Sequence, residues 1–268
     1  MPQFTYLLGY DSSEATRLRR QARLWDPVSH ALFDRVGVGP GWKVLEIGPG
    51  QGSLHLELRR RVRGPVDGVE RSAPAVQQLQ RMTRRDRFGQ GRLWVCDLID
   101  ADLPRNTYDF IFARWVFLFL PDPLAHVRKL ARSLKPGGVL ALQDYHRDTL
   151  MLVPQPDEWQ DFLAADRAFF ATQGGCASIG TLLPDLYRRA GLAVTGTHHT
   201  VKSGHPGTPV WNWLTTYFLG VMHRYGTFRP FSPLKARRLA RTWRAAAHDK
   251  TSLLVGPALL DVVGRKSP

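Results

Sequence analysis

The stretch Lys43-Val44-Leu45-Glu46-Ile47-Gly48-Pro49-Gly50-Gln51-Gly52-Ser53 constrains the fold of this chain more than any other. Val44, Leu45 and Ile47 form a near-continuous apolar run, the signature of a short parallel strand covered on both faces. Gly48, Gly50 and Gly52 then strip the chain of side chains at a turn, so a ligand can approach the backbone closely. Ser53 is placed to cap the helix that follows through His55, Leu56 and Leu58. A strand, a glycine turn and a helix N-terminus make a nucleoside-sized site at the carboxyl end of a parallel sheet.

The same alternation continues along the chain. Asp11 and Glu14 have the spacing of a capping box, which predicts a helix to about residue 24. Pro27 opens a second short helix with Leu32, Phe33 and Val36 on one side. This arm precedes the glycine turn and is positioned to fold over a ligand as a lid. Val66-Asp67-Gly68-Val69 is a second strand, and it ends in Glu70, at the distance where an α/β nucleoside site places an acid against ribose hydroxyls. A helix over about 73–84 turns Val76, Leu79 and Met82 inward, and a third strand over 92–96 ends at Asp97 beside Leu98. A fourth strand, 108–113, delivers Arg114-Trp115-Val116-Phe117 to the same edge. A helix from Pro123 stops at Lys135-Pro136-Gly137-Gly138. A fifth strand over 139–142 brings Gln143, Asp144, Tyr145 and His146 to the ligand side. Strict βα alternation of this kind predicts a doubly wound, mostly parallel sheet. After His146 the pattern becomes helical and aromatic, with strand-like segments at 192–202 and, with a kink, at 253–264.

Composition narrows the classes. The chain has 268 residues, 43% of them hydrophobic, enough for a full core. No apolar run is long enough to span a bilayer, and the first residues lack the basic and apolar regions of a signal peptide, so no membrane partner is expected. Cys96 and Cys176 form no metal-type pair, so neither a metal site nor a disulfide is expected and a reducing, cytoplasmic setting fits. The excess of 37 Lys and Arg over 23 Asp and Glu gives a net charge of +14, which attracts polyanions or acidic small molecules.

Taken in order, Val44-Leu45-Glu46-Ile47-Gly48-Pro49-Gly50-Gln51-Gly52, Val69-Glu70, Asp97-Leu98, Tyr108-Asp109-Phe110-Ile111-Phe112 and Lys135-Pro136-Gly137-Gly138 resemble the class I S-adenosylmethionine-dependent methyltransferases. The resemblance covers about residues 39–146 and implies an α/β Rossmann-like, seven-stranded doubly wound sheet with its last strand antiparallel. It implies one domain: a helical arm at 1–38, a cofactor core at 39–146, a mostly helical substrate cap at 147–250 holding the sixth strand, and a final strand in 251–268. For the cofactor, S-adenosyl-L-methionine, it implies that Glu46 and the turn Gly48, Pro49, Gly50 and Gly52 hold the methionine and ribose part. Glu70 would hold the ribose hydroxyls, Asp97 and Leu98 the adenine, and Arg114 and Trp115 would line the sulfonium, with Arg71 a further cofactor-binding residue. Tyr10 and Gln21 on the arm are further candidate contacts.

The motifs that would name an acceptor are missing. Arg114-Trp115-Val116-Phe117 stands where amino methyltransferases of bases carry Asn/Asp-Pro-Pro-Tyr, and no cysteine occupies the fourth-strand site. The reading that results is methyl transfer to a small, apolar or aromatic acceptor by in-line displacement. His146 is the candidate general base, and Trp159, Phe162, Phe169, Trp211, Trp213, Tyr217 and Phe218 form either an acceptor pocket or the core of the cap. The competing readings are an RNA-modifying methyltransferase, favoured by the charge, a nicotinamide-dependent oxidoreductase, and a non-catalytic S-adenosylmethionine-binding protein. Oligomeric state is not encoded in any of these patterns.

Overall fold

The structure, a computed structural model, describes residues 12–268, with side chains described from Arg17 onward. Its first half runs α1 (Ser12–Val36), β1 (Val44–Ile47), α2 (Ser53–Val62), β2 (Val66–Glu70), α3 (Ala73–Thr83), β3 (Leu93–Val95), β4 (Tyr108–Arg114), α4 (Pro123–Ser133) and β5 (Leu134–His146). The second half runs β6 (Met151–Val153), α5 (Trp159–Thr172), α6 (Leu183–Arg189), β7 (Leu192–Thr200), β8 (Ser203–Gly204), α7 (Pro209–Tyr225), α8 (Pro233–Ala246), β9 (Leu253–Val255) and β10 (Ala258–Lys266).

Seven strands form one sheet in the order β3-β2-β1-β4-β5-β10-β7. β1 to β5 are parallel, and β10 runs antiparallel between β5 and β7, as the resemblance implied. Pleat alternation divides the core in two. Val44, Phe110, Phe112, Val139 and Ala141 point to the face covered by Leu32 and Phe33 of α1 and Leu54 and Leu58 of α2. Leu45, Ile47, Ile111, Leu140 and Leu142 point to the other face, where α4 and α6 supply Val127, Leu130, Leu183 and Tyr187. Every strand near the middle is therefore buried on both sides, which is why its sequence reads as an unbroken apolar run.

Helix starts follow the capping chemistry in the sequence. Ser72, Asp122, Thr208 and Ser232 each accept a backbone N–H of the first turn, and a proline stands at the first or second helical position each time.

Several expectations need correction. α1 is one helix through Pro27, not two. Trp25, Leu32 and Phe33 are all fully buried on either side of the proline, and their packing outweighs the hydrogen bond that Pro27 cannot donate. The Asp11–Glu14 capping pair and Tyr10 lie outside the described residues. Ser53 does not cap α2; Gly52, in a left-handed conformation, occupies that position without a side-chain bond. Met82 is exposed, since α3 buries only Val76 and Leu79 of the predicted stripe. β5 begins at Leu134, directly after α4, because the Lys-Pro-Gly-Gly segment is absorbed into the strand edge as a register shift against β4. The kinked segment 253–264 is two strands in two sheets: β10 in the large one, and β9 in a small antiparallel sheet with β6 and β8, which was not predicted.

Candidate functional site

Strand order reverses between β1 and β4, because the chain winds from β1 outward to β3 and then returns to β4 and β5. Ligands of open α/β sheets bind at such a reversal, beyond the carboxyl ends of the strands. The segments leaving β1 and β4 there are the glycine turn and Arg114-Trp115-Val116. They touch: a Cβ on Gly48 would lie 2.7 Å from Val116 Cγ2. Gly48, Gly50 and Gly52 all have positive φ, at 68°, 50° and 82°, and a Cβ on Gly52 would lie 2.9 Å from Leu79 Cδ1. Glycine is thus required at Gly48 and Gly52 by both backbone conformation and space.

Two acids sit at this turn. Glu70 Oε2 accepts the Gly50 N–H at 3.2 Å and Oε1 accepts the Ser72 N–H at 2.8 Å. Gly48 N–H donates to the Val69 carbonyl at 2.8 Å, which fixes β2 against the turn. Glu46 is 3% exposed and is held by His55 Nδ1 of α2 at 3.0 Å. Sequence spacing points to Glu70 and the resemblance to Glu46, whereas His55 reads only as a position of the helix that follows. Asp97 is exposed beyond β3, and its carbonyl accepts the N–H of Asp100 at 3.0 Å. Leu98 beside it is 5% exposed and belongs to the core, so its side chain is mainly a packing element. Arg71 is exposed after Glu70.

Across the reversal, α1 is tied down. Arg114 donates to Asp26 at 2.7 Å and to Ser29 at 2.9 Å; Ser29 donates to Gln143, and Gln143 donates to Asp261 at 2.7 Å, which also pairs with Arg35. α1 is therefore clamped to β4, β5 and β10 from Asp26 to Arg35. Gln21, a candidate contact, is 7% exposed and accepts Arg17 Nη1 at 2.7 Å.

Trp115 is the first residue after β4 and has φ of 57°, a conformation unfavourable for a residue with a bulky side chain. Its ring stacks on Tyr145, with centroids 5.5 Å apart, and the Arg114 guanidinium lies over it at 4.4 Å. Trp25 of α1 and Trp213 of α7 complete the group. Burial removes the Tyr145 hydroxyl from water and pushes its pKa up, so it stays a proton donor over the whole range in which the protein is studied. Asp144, also buried, accepts backbone N–H groups from Leu118 at 3.1 Å and Tyr145 at 2.9 Å, and burial raises its carboxyl to about 7.

His146 is not brought into this group. Alternation puts it with Asp144 on the opposite face of β5 from Tyr145, and its Nε2 lies 3.9 Å from Asp148. Of the seven cap aromatics, six are buried, and Trp159, Phe162, Phe169 and Phe218 pack on one another and on Tyr225 and Trp243. They are mostly the cap's own core; Trp213 alone of the seven stacks on Trp25. Trp25 itself, hidden in a helix otherwise rich in Arg, carried no sequence signal of a site.

Comparison with known proteins agrees with this arrangement. A family model described as a methyltransferase domain matches residues 45–142. The chain is 28% identical over 121 residues to cycloartenol-C-24-methyltransferase 1 of Oryza sativa subsp. japonica, covering 43% of this chain and 34% of that protein. It is 35% identical over 113 residues to trans-aconitate 2-methyltransferase of Rhodopseudomonas palustris, 42% of each. The match thus spans less than half the length of either relative. A solved geranyl diphosphate methyltransferase in complex with S-adenosylmethionine superposes over 97% of this chain and 94% of its own, with a TM-score of 0.55 and 19% identity. Residues 45–142 of the chain thus match a methyltransferase domain, and the chain shares its fold with the solved geranyl diphosphate methyltransferase.

Proposed function

We propose that the protein transfers a methyl group from S-adenosyl-L-methionine to a small organic acceptor with an apolar or aromatic body. The observation that carries this reading is the side-chain-free turn at the sheet reversal, with the Glu70 carboxylate bonded across it to Gly50 and Ser72. The site fits the adenosyl cofactor: Cβ-free backbone gives room at Gly48 and Gly52, and Glu70 keeps further lone pairs for hydroxyl donors. In this reading the turn of Gly48, Pro49, Gly50 and Gly52 with Glu46 holds the amino-acid and ribose portion. Glu70 and Arg71 address the ribose, Asp97 and the edge of Leu98 the base, and Arg114, Trp115 and Gln21 border the methyl-bearing end.

When bound, the cofactor supplies an electrophilic methyl group, so the chain need not provide a nucleophile. Its own residues align the acceptor and exclude water, effects worth up to ~7–11 kcal/mol in favourable cases. α1, clamped across the reversal by Asp26 and Ser29, and Trp213 from the cap form the dry wall for that purpose. His146 lies on the opposite face of β5 from Tyr145, so no general-base role is assigned to it in this reading. Relatives whose names state trans-aconitate and cycloartenol as substrates support a small-molecule acceptor.

Calorimetry with S-adenosylmethionine, S-adenosylhomocysteine and NADH side by side tests the reading. The first two should bind and NADH should not, and Glu70→Ala should weaken S-adenosylmethionine at least about tenfold by removing a charge-assisted contact. Binding of NADH alone, or an unchanged affinity in Glu70→Ala, overturns it. Transfer of radiolabelled methyl to fractionated cell extract then identifies the acceptor.

A further inference from the structure

Six buried side-chain polar atoms among the described residues have no hydrogen-bond partner, and four of them are the Nε1 atoms of Trp25, Trp115 and Trp213 and the hydroxyl of Tyr145. These four residues are one group. Trp25 is the hub, with ring centroids 6.1 Å from Trp115, 6.2 Å from Tyr145 and 5.8 Å from Trp213, all edge-on. Trp25, Tyr145 and Trp213 are 0%, 6% and 5% exposed. Buried polar groups are nearly always satisfied, and leaving one unpaired is costly. Four in a single group, one of them held at positive φ, mark a place prepared for a ligand rather than a packing accident.

The chemistry of the group is one-sided. An indole N–H only donates, and a phenol with a raised pKa donates as well. Lys202 places its ammonium 5.3 Å from the Trp25 ring centroid, and no acidic partner of Lys202 occurs among the described residues. Arg17, Arg114 and Arg147 all act electrostatically on the Tyr145 hydroxyl, although Arg114 and Arg147 have carboxylates of their own. Lys202 is therefore a cation at this group with no carboxylate beside it among the described residues. A ligand that answers these groups offers oxygen acceptors and one negative charge, on a flat unsaturated body suited to aromatic walls.

We infer that Trp25, Trp115, Tyr145, Trp213 and Lys202 form the acceptor-binding chamber and take a planar, unsaturated carboxylic acid by its carboxylate. This rests on the methyl-transfer reading for its place in the reaction, but the binding itself does not require the cofactor. The net charge of +14 draws such an anion toward the protein at long range. Only binding is proposed; which atom of the acid accepts the methyl group is not part of it.

Calorimetric titration with trans-cinnamate and benzoate, each against its neutral amide, tests the chamber, with S-adenosylhomocysteine titrated separately into every protein. The acids should bind at least about tenfold more tightly than the amides. Lys202→Met and Tyr145→Phe should each erase about tenfold of that preference, while S-adenosylhomocysteine affinity stays as in the parent protein and certifies the fold. Equal affinity of acid and amide, a preference unchanged in both variants, or no binding of either acid at millimolar concentration overturns the chamber. If S-adenosylhomocysteine still binds in that case, the methyl-transfer reading survives; if only the acids bind, it is the methyl-transfer reading that fails.

Discussion

Asp144 is 1% exposed and precedes Tyr145; its Oδ2 accepts the Leu118 N–H of the segment after β4, and its Oδ1 accepts the N–H of Tyr145. Desolvation outweighs those hydrogen bonds and raises its carboxyl to about 7, against about 3.9 for an ordinary aspartate in an unfolded chain. Between these values the folded chain retains a proton that the unfolded chain has lost, so the unfolded state binds fewer protons and stability falls as pH rises. The contribution is whole below about pH 4 and is lost by about pH 7. Asp144→Asn is neutral throughout, so the difference in melting temperature, variant minus parent, should climb steadily between these limits and level off above them. Thermal unfolding at several pH values reads this directly, and a difference that is flat with pH refutes the assignment. Trp115 makes the complementary point at this scale. A tryptophan at φ of 57° costs roughly 1–3 kcal/mol, and the Tyr145 stack and the Arg114 guanidinium are what hold it there.

Among the elements, α1 departs furthest from what its sequence suggests, and its place explains why. Pro27 reads as a boundary, and locally it is one; yet Trp25 faces the aromatic group at the sheet edge while Leu32 and Phe33 fill the face over β4, so a single rigid rod satisfies both contacts. Ser29, fully buried at the middle of that rod, accepts from Arg114 and donates to Gln143. Ser29→Ala leaves Arg114 Nη1 and Gln143 Oε1 without this partner, which should cost about 1–3 kcal/mol. Urea unfolding should show the midpoint lowered with its slope unchanged, and a midpoint equal to the parent's would mean that α1 is held by its apolar contacts alone. The elements legible in the sequence are those whose signals are local: the glycine turn, the helices announced by Ser72, Asp122, Thr208 and Ser232, and Glu70 at its spacing from Gly50. What escaped reading depends on partners far away in the chain. Gly256-Pro257 announces a bend, but which sheet β9 joins is decided by β6 and β8. Likewise nothing near Trp25, Tyr145 or Trp213 says that they meet: Tyr145 reads as a ligand-side residue and Trp213 as one of the cap aromatics, but no local signal joins either to Trp25.

For the molecule as a whole, the question is what fixes the cap to the sheet, because the proposed chamber is shared between them. The strongest polar tie is Arg147, just after β5, which is 5% exposed. It donates twice to Asp166 of α5, at 2.8 and 2.7 Å, and Asp166 also accepts the Tyr225 hydroxyl of α7 at 2.7 Å. The guanidinium also lies over Phe170, Tyr217 and Phe218, within 5.1 to 5.5 Å of their centroids. One cation thus joins the end of the sheet to two cap helices. Taking both charges out of water is expensive, so the pair is better understood as a directional lock than as a large source of stability. The two views separate experimentally. Asp166→Ala leaves a buried cation unpaired and should destabilise by about 3–5 kcal/mol. Joint replacement by Arg147→Met and Asp166→Leu removes both charges and should recover most of that loss in urea unfolding. If the lock sets the geometry of the chamber, the recovered double variant should still bind S-adenosylhomocysteine at the glycine turn but bind trans-cinnamate weakly, since Trp213 on α7 is no longer aimed by the ion pair. A double variant that unfolds as readily as Asp166→Ala makes the pair a stability element, and one that binds trans-cinnamate like the parent shows that the aromatic packing of the cap aligns α7 unaided.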